Sequence, residues 1–213
     1  MPATVTQDKA AHSVVLHGVS WKLYEALVDE LSEQHVFLTY DRGTLEIMSP
    51  LPKHEYYKKV LGRWIELLGI ELGLNVRGGG STTFRRENLE RGLEPDECFW
   101  IASEAVIRDK IDLDFTVDPP PDLAIEIDVT SRLLDRQSIY AALGVPELWR
   151  CDGASLRVYV LQPRGTYRLS NKSPSFPSLP LGEFHAFLHK PAGMSEGEWV
   201  RTFRRWARKL NKR

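Results

Sequence analysis

The stretch Pro121-Asp-Leu-Ala-Ile-Glu-Ile-Asp-Val-Thr130 decides how the rest of the chain is read. It is a short apolar run with Glu126 and Asp128 in its interior. Side chains two apart on a strand point the same way, so both acids share one face of a strand that otherwise reads as core. Burying two like charges is costly unless something compensates, and a divalent metal ion is the usual compensation for clustered carboxylates. Asp118-Pro-Pro-Pro121 leads in as a stiff extended segment, because each proline restrains the residue before it. Upstream, Glu94-Pro-Asp96 opens another strand-like run, Asp96 to Ile101.

Working outward, residues 20–33 have the spacing of an amphipathic helix, with Ser20 as N-cap and Trp21, Tyr24, Leu27, Val28 and Leu31 as its stripe. Val36–Tyr40 and Thr44–Met48 read as a hairpin turned by Asp41-Arg-Gly43. A long helix is expected over Lys53–Gly73 and a strand over Val76–Arg86, with Gly78-Gly-Gly80 giving a bend or bulge. Asn88–Gly92 reads as a polar loop. Beyond the central strand, Leu133–Leu143 reads as a helix stopped by Gly144 and Pro146. Glu147–Cys151 and Leu156–Leu161 then read as strands around Asp152-Gly153, Tyr167–Leu169 as a further short one, and Ser195–Leu210 as a last helix. A hairpin followed by alternating strands and helices predicts an α/β fold: a mixed central sheet flanked by helices, with an N-terminal helix and hairpin extension. The expected organisation is a tail over 1–19, one domain over 20–190, and a basic C-terminal helix within 191–213.

Composition is that of a globular protein, 42% hydrophobic and 27% charged, and no apolar run is long enough to span a membrane. The N-terminal residues lack a signal-peptide hydrophobic region, and two cysteines, Cys98 and Cys151, make a disulfide framework or zinc site a poor reading. A reduced, cytoplasmic protein is expected. The net charge of −1 hides an asymmetry: Val200–Arg213 holds seven basic residues and no acidic one, so the remainder carries −8. The last helix has Trp199, Phe203, Trp206 and Leu210 on one stripe and a basic opposite side. It reads as docked on the core, with phosphate contact as a possible addition.

Glu94-Pro-Asp96, then Asp122-Leu-Ala-Ile-Glu-Ile-Asp-Val-Thr-Ser131, then Asp135-Arg-Gln-Ser-Ile-Tyr-Ala-Ala-Leu-Gly-Val-Pro-Glu-Leu-Trp149 resemble a large bacterial restriction endonuclease family. That family belongs to the restriction-endonuclease-like superfamily named for its PD-(D/E)xK motif. The resemblance runs from about Trp21 to Tyr159 and includes Met48-Ser-Pro50 and the helix start at His54-Glu55. It implies an endonuclease that hydrolyses DNA with Mg²⁺ or Mn²⁺, uses no small-molecule cofactor, and works as a homodimer. Asp96 matches the metal-binding aspartate and Glu126 the acid of the (D/E)xK element, with the Ile127 carbonyl a further ligand. Glu55 matches an upstream acid often found in such sites. Asp128 stands where the motif has lysine, and Arg136, one helical turn before Tyr140, is the candidate replacement cation. An arginine there binds phosphate but is no general base at neutral pH.

Plainer readings stand beside these. Asp96 after a proline commonly makes local backbone hydrogen bonds, Glu55 suits a helix N-terminus, and Arg136 suits a surface ion pair. Asp128 reads equally as a ligand and as a residue emerging at the sheet edge. Asp122 and Asp135 read as strand-entry and helix-entry residues. His185 and His189 lie four apart in what reads as loop and strand, and are taken as structural. A catalytically reduced protein that binds DNA without cutting it is the second functional reading. A metal-free glycosidase using paired acids is the third.

Overall fold

A computed structural model describes residues 4–7, 13–129 and 133–211. Thr130 and Ser131 of the central stretch, and Lys212 and Arg213 of the basic run, lie outside the described residues.

Residues 1–19, expected as a tail, carry two strands, β1 (Thr4–Gln7) and β2 (Ser13–His17). The reason lies in β2: Ser13 and Val15 alternate inward, and the strand pairs antiparallel with the hairpin that follows. Helix α1 (Trp21–Glu30) begins where Ser20 Oγ accepts the Leu23 N–H at 3.2 Å. Strands β3 (Phe37–Asp41) and β4 (Thr44–Met48) form the expected hairpin. Its turn needs positive φ at both central residues, supplied by Arg42 (44°) and Gly43 (90°).

Helix α2 (Pro52–Leu72) has proline in its first turn and ends at Gly73 with φ 69°. The expected strand over Val76–Arg86 is two strands, β5 (Arg77–Gly78) and β6 (Phe84–Arg86), in different sheets. The glycine run allows the break. A Cβ on Gly79 would lie 2.5 Å from the Trp100 ring and 2.7 Å from Cys98 Sγ, and Gly80 has φ 57°. Part of the expected polar loop is instead in β7 (Arg91–Leu93), which pairs with both β3 and β6.

Next come β8 (Glu97–Trp100), α3 (Glu104–Ile107), β9 (Leu123–Ile127), α4 (Arg136–Leu143) and β10 (Glu147–Cys151). Strands β11 (Leu156–Leu161) and β12 (Tyr167–Ser170), then helices α5 (Leu181–His185) and α6 (Glu196–Leu210), complete the described chain. His185 closes α5 and His189 follows a 3₁₀ turn, rather than loop and strand, and His185 Nε2 lies 2.7 Å from the Ala154 carbonyl.

Among the described residues the strands form two six-stranded sheets, in orders β1-β2-β4-β3-β7-β6 and β12-β11-β10-β9-β8-β5. In the second sheet β9 and β10 are parallel, with α4 as the crossover, and β8 is antiparallel to β9. This mixed α/β architecture places β9 between helices. Leu123, Ile125 and Ile127 pack with Tyr57, Leu61, Trp64 and Leu68 of α2 and with Trp199 and Phe203 of α6. Ala124, on the other side, packs with Ile139, Tyr140 and Leu143 of α4. A capping box at Ser195 and Glu198 starts α6, and Trp64 stacks on Phe203 at 4.2 Å between ring centroids. Among the described residues, no helix is long and apolar enough to cross a membrane.

Candidate active site

Strand pairing brings the two key acids together. Glu97 lies opposite Ile125 and Cys98 opposite Ala124, so the same register carried one residue further sets Asp96 opposite Glu126. Both are buried, at 0% and 2% exposure. The ladder opens at this point. Asp96 N–H donates to the Ile125 carbonyl at 3.2 Å, and the Ile127 N–H donates to the Asp96 carboxylate at 2.5 Å. A side-chain oxygen thus satisfies a backbone donor at the sheet's edge.

Helix α4 delivers the counter-charge. Asp135 caps it through the Gln137 N–H, which fixes where the helix starts and aims Arg136 and Tyr140 at β9. Arg136 Nη2 donates to Glu126 Oε1 at 2.6 Å and to the Glu94 carbonyl at 2.5 Å, and its Nη1 donates to Thr39 Oγ1. The Tyr140 hydroxyl donates to the same Glu126 oxygen. Burial, the largest single influence, works against the charged guanidinium, but Glu126, Tyr140 and Asp96 together outweigh it and hold Arg136 above the usual arginine range. Burial and then Glu126 push the Tyr140 hydroxyl well above its ordinary value.

The start of α2 supplies the other wall. His54, fully buried, places Nε2 3.1 Å from Asp96 Oδ2 and Nδ1 3.1 Å from Glu55 Oε1. Glu55 therefore reaches Asp96 through a histidine. His54 entered the sequence reading only as part of the helix-start motif, and its one signal is the neighbouring Glu55. Glu94, half-buried and with its carboxyl raised by desolvation, accepts the Leu38 N–H at 3.3 Å and the Thr83 hydroxyl at 2.9 Å. It ties β3 to the loop that leads into β6 beside the site.

The remaining residues fall nearby. Asp128 leaves the strand with its carboxylate 2.6 Å from Arg150 Nε. Ile127 is engaged through its N–H. Asp122 accepts N–H groups from Ile101 and Ser103 and organises the strand entry. Glu46, which lies opposite Thr39 in the hairpin, is buried and accepts the Leu133 N–H at 3.0 Å, tying the extension to the approach of α4. No sequence pattern marks it, because a single acid in a five-residue strand looks like a solvent-facing position.

Among the described residues, no three His, Cys, Asp or Glu side chains converge as a metal cage. The donor chemistry at Asp96 and Glu126 nevertheless fits a magnesium-type ion, which takes one or two carboxylates and keeps most of its water.

A mixed sheet with paired carboxylates at the opening of adjacent strands, an arginine on the following helix and a histidine on the preceding one defines a restriction-endonuclease-like protein. Residues 21–186 match the model of the Uma2 family, described as "Putative restriction endonuclease", and the chain belongs to that family. A crystal structure described as a putative nuclease belonging to DUF820 from Anabaena variabilis ATCC 29413 is similar at 18% identity. The match covers 71% of this chain and 91% of that one with a TM-score of 0.43. A search of the curated proteins gives no match.

Proposed function

We propose that this chain is a metal-dependent endonuclease that hydrolyses DNA phosphodiester bonds. The observation that carries the reading is the opposition of Asp96 and Glu126 across β8 and β9 within a buried network of charged partners. Asp96 and Glu126 would hold Mg²⁺ or Mn²⁺, with the Ile127 carbonyl, Asp128 and Glu55 completing or flanking the set. When bound, such an ion polarises the phosphoryl oxygen and lowers the pKa of its water. The chain's own residues prepare the place. The Ile127 N–H and His54 fix the Asp96 carboxylate, and Arg136 with Tyr140 fix that of Glu126. Arg136 offsets the Glu126 charge through its 2.6 Å contact and would set positive charge where phosphate charge develops. Two such sites in a homodimer would serve the two strands of a duplex.

A second reading, DNA binding without cleavage, has its own observation. Arg136 already grips Glu126, and Asp128, in the lysine's place, is tied to Arg150. One experiment separates the two. Purified protein with Mg²⁺ or Mn²⁺ should cut plasmid DNA, EDTA should abolish cutting, and Asp96→Ala and Glu126→Ala should each lose it. Cleavage equal in wild type and both variants would mark contamination and sink the enzyme reading. Binding without metal-dependent cleavage would select the second.

A further inference from the structure

We infer that Lys58 is a DNA phosphate contact on the wall of this site, a role for the half-buried ammonium that rests on the nucleic-acid reading above. Lys58 lies one helical turn after His54 on α2, so both face the same way. Its Nζ donates to Ser81 Oγ at 2.8 Å, and Ser81 Oγ donates to the Asp96 carbonyl at 3.3 Å. The same Nζ sits 5.3 Å from the centre of the Phe37 ring, which is itself 5.9 Å from the His54 ring. Lys58, Phe37, His54 and the strand entry at Asp96 therefore share one wall. A cleft of about 190 Å³ opens there, lined by Phe37, Leu38, Lys58, Ser81 and Glu94 among others.

What distinguishes Lys58 is its partner. Arg136 is committed to Glu126, Arg150 to Asp128 and Arg91 to Asp41. Lys58 makes no ion pair within 4 Å of a carboxylate among the described residues: Glu94 and Glu97 lie within electrostatic range, but the ammonium itself rests on a neutral hydroxyl and an aromatic face. Glu94, the acid that lines the same cleft, has its two carboxylate oxygens occupied by the Leu38 N–H and the Thr83 hydroxyl. A four-carbon stem lets the ammonium exchange the serine for a phosphate oxygen at little cost, whereas Arg136 would have to abandon a buried carboxylate. The cation that meets an incoming backbone is then supplied by the helix before the central strand.

Salt-dependent binding tests this without cleavage. The full chain is titrated against a fluorescently labelled DNA duplex in EDTA, by anisotropy, over about 50 to 200 mM KCl. Lys58→Ala should bind more weakly, with a log–log salt slope smaller by about 0.9, as expected for one lost phosphate contact. Lys58→Arg should keep the wild-type slope. Ser81→Ala, which removes the resting partner and its hydrogen bond to the Asp96 carbonyl but leaves the ammonium, should keep it too. Lys58→Gln, with a circular-dichroism melt, replaces the alanine variant if that fails to fold. A wild-type slope in the alanine or glutamine variant overturns the assignment. Wild type that binds with the Lys58-dependent slope but never cuts overturns the nuclease reading and leaves this one standing. Wild type that does not bind DNA in EDTA overturns this assignment, and wild type that also fails to cut with Mg²⁺ or Mn²⁺ overturns both.

Discussion

Glu126 and Glu71 are both gripped by arginine, at opposite ends of the region that α2 spans, but only one grip is dry. Glu126 and Arg136 leave 2% and 5% of their side chains exposed. Glu71, near the end of α2, is held by Arg204 at 2.5 Å and Arg208 at 2.6 Å, and those arginines reach water at 41% and 57%. A buried pair costs several kcal/mol per ion to desolvate, and its attraction offsets this only with good geometry and further hydrogen bonds. Stability alone is thus a poor reason to keep Glu126 and Arg136 where they are, while Glu71 simply docks the basic helix α6 on α2. Among the described residues, two of the basic residues that made the C-terminal end look like a nucleic-acid surface, Arg204 and Arg208, are ion-paired to Glu71.

The largest expected effect breaks this contrast if it fails. Arg136→Ala leaves a buried carboxylate uncompensated and should cost about 3–5 kcal/mol by urea unfolding. Adding Glu126→Gln should recover part of the loss, because the stranded charge is then gone. An Arg136→Ala variant no less stable than Glu71→Gln would mean that water reaches Glu126 and that the site is open.

Glu71→Gln comes next, at about 1 kcal/mol, because its partners are partly solvated. Arg208 first, with Arg204, holds the Glu71 carboxyl below its usual value. A carboxyl with a lowered folded-state pKa stabilises the fold above its unfolded value and loses that contribution as pH falls through the folded one. Wild type should therefore exceed the variant at neutral pH, and the gap should close in acid below about pH 4. A gap that persists at low pH would assign it to packing.

The two faces of β9 show how much of this was legible in the sequence. Alternation of Leu123, Ile125 and Ile127 against Ala124 and Glu126 announces a strand buried on both sides, and Glu126 stands out because an apolar setting makes an acid conspicuous. Ser20, Gly73, Gly144 and Ser195 mark helix ends nearly to the residue, whereas the helix expected from Leu133 starts three residues later, capped by Asp135. The partners of the acids were harder to see, since they come from distant elements. Thr39 and Arg136 are 97 positions apart and Leu133 and Glu46 87 apart, and no local pattern encodes such meetings. β2, β5, β6 and β7 were misread or missed for a related reason. Strands of two to five residues derive their stability from neighbours in the sheet rather than from their own periodicity.

Salt gives the smallest and sharpest comparison. At an ionic strength of about 1 M the Debye length falls to about 3 Å, so charges that reach water are screened while enclosed ones are screened much less. Raising KCl from about 0.1 to 1 M should shrink the stability difference between wild type and Glu71→Gln by a few tenths of a kcal/mol, because Arg204 and Arg208 extend into solvent. The same salt should leave the difference between wild type and Arg136→Ala nearly unchanged. Added salt shifts the stability of every protein to some extent, so the informative quantity is the difference between the two differences, read from unfolding curves at matched salt. If Arg136→Ala loses its penalty in step with Glu71→Gln, ions reach Glu126, and the dry character that separates the two carboxylates is wrong. If only the Glu71 difference moves, the arginine on α4 acts on its carboxylate from within the protein, as its enclosure by Thr39, Glu94 and Tyr140 implies.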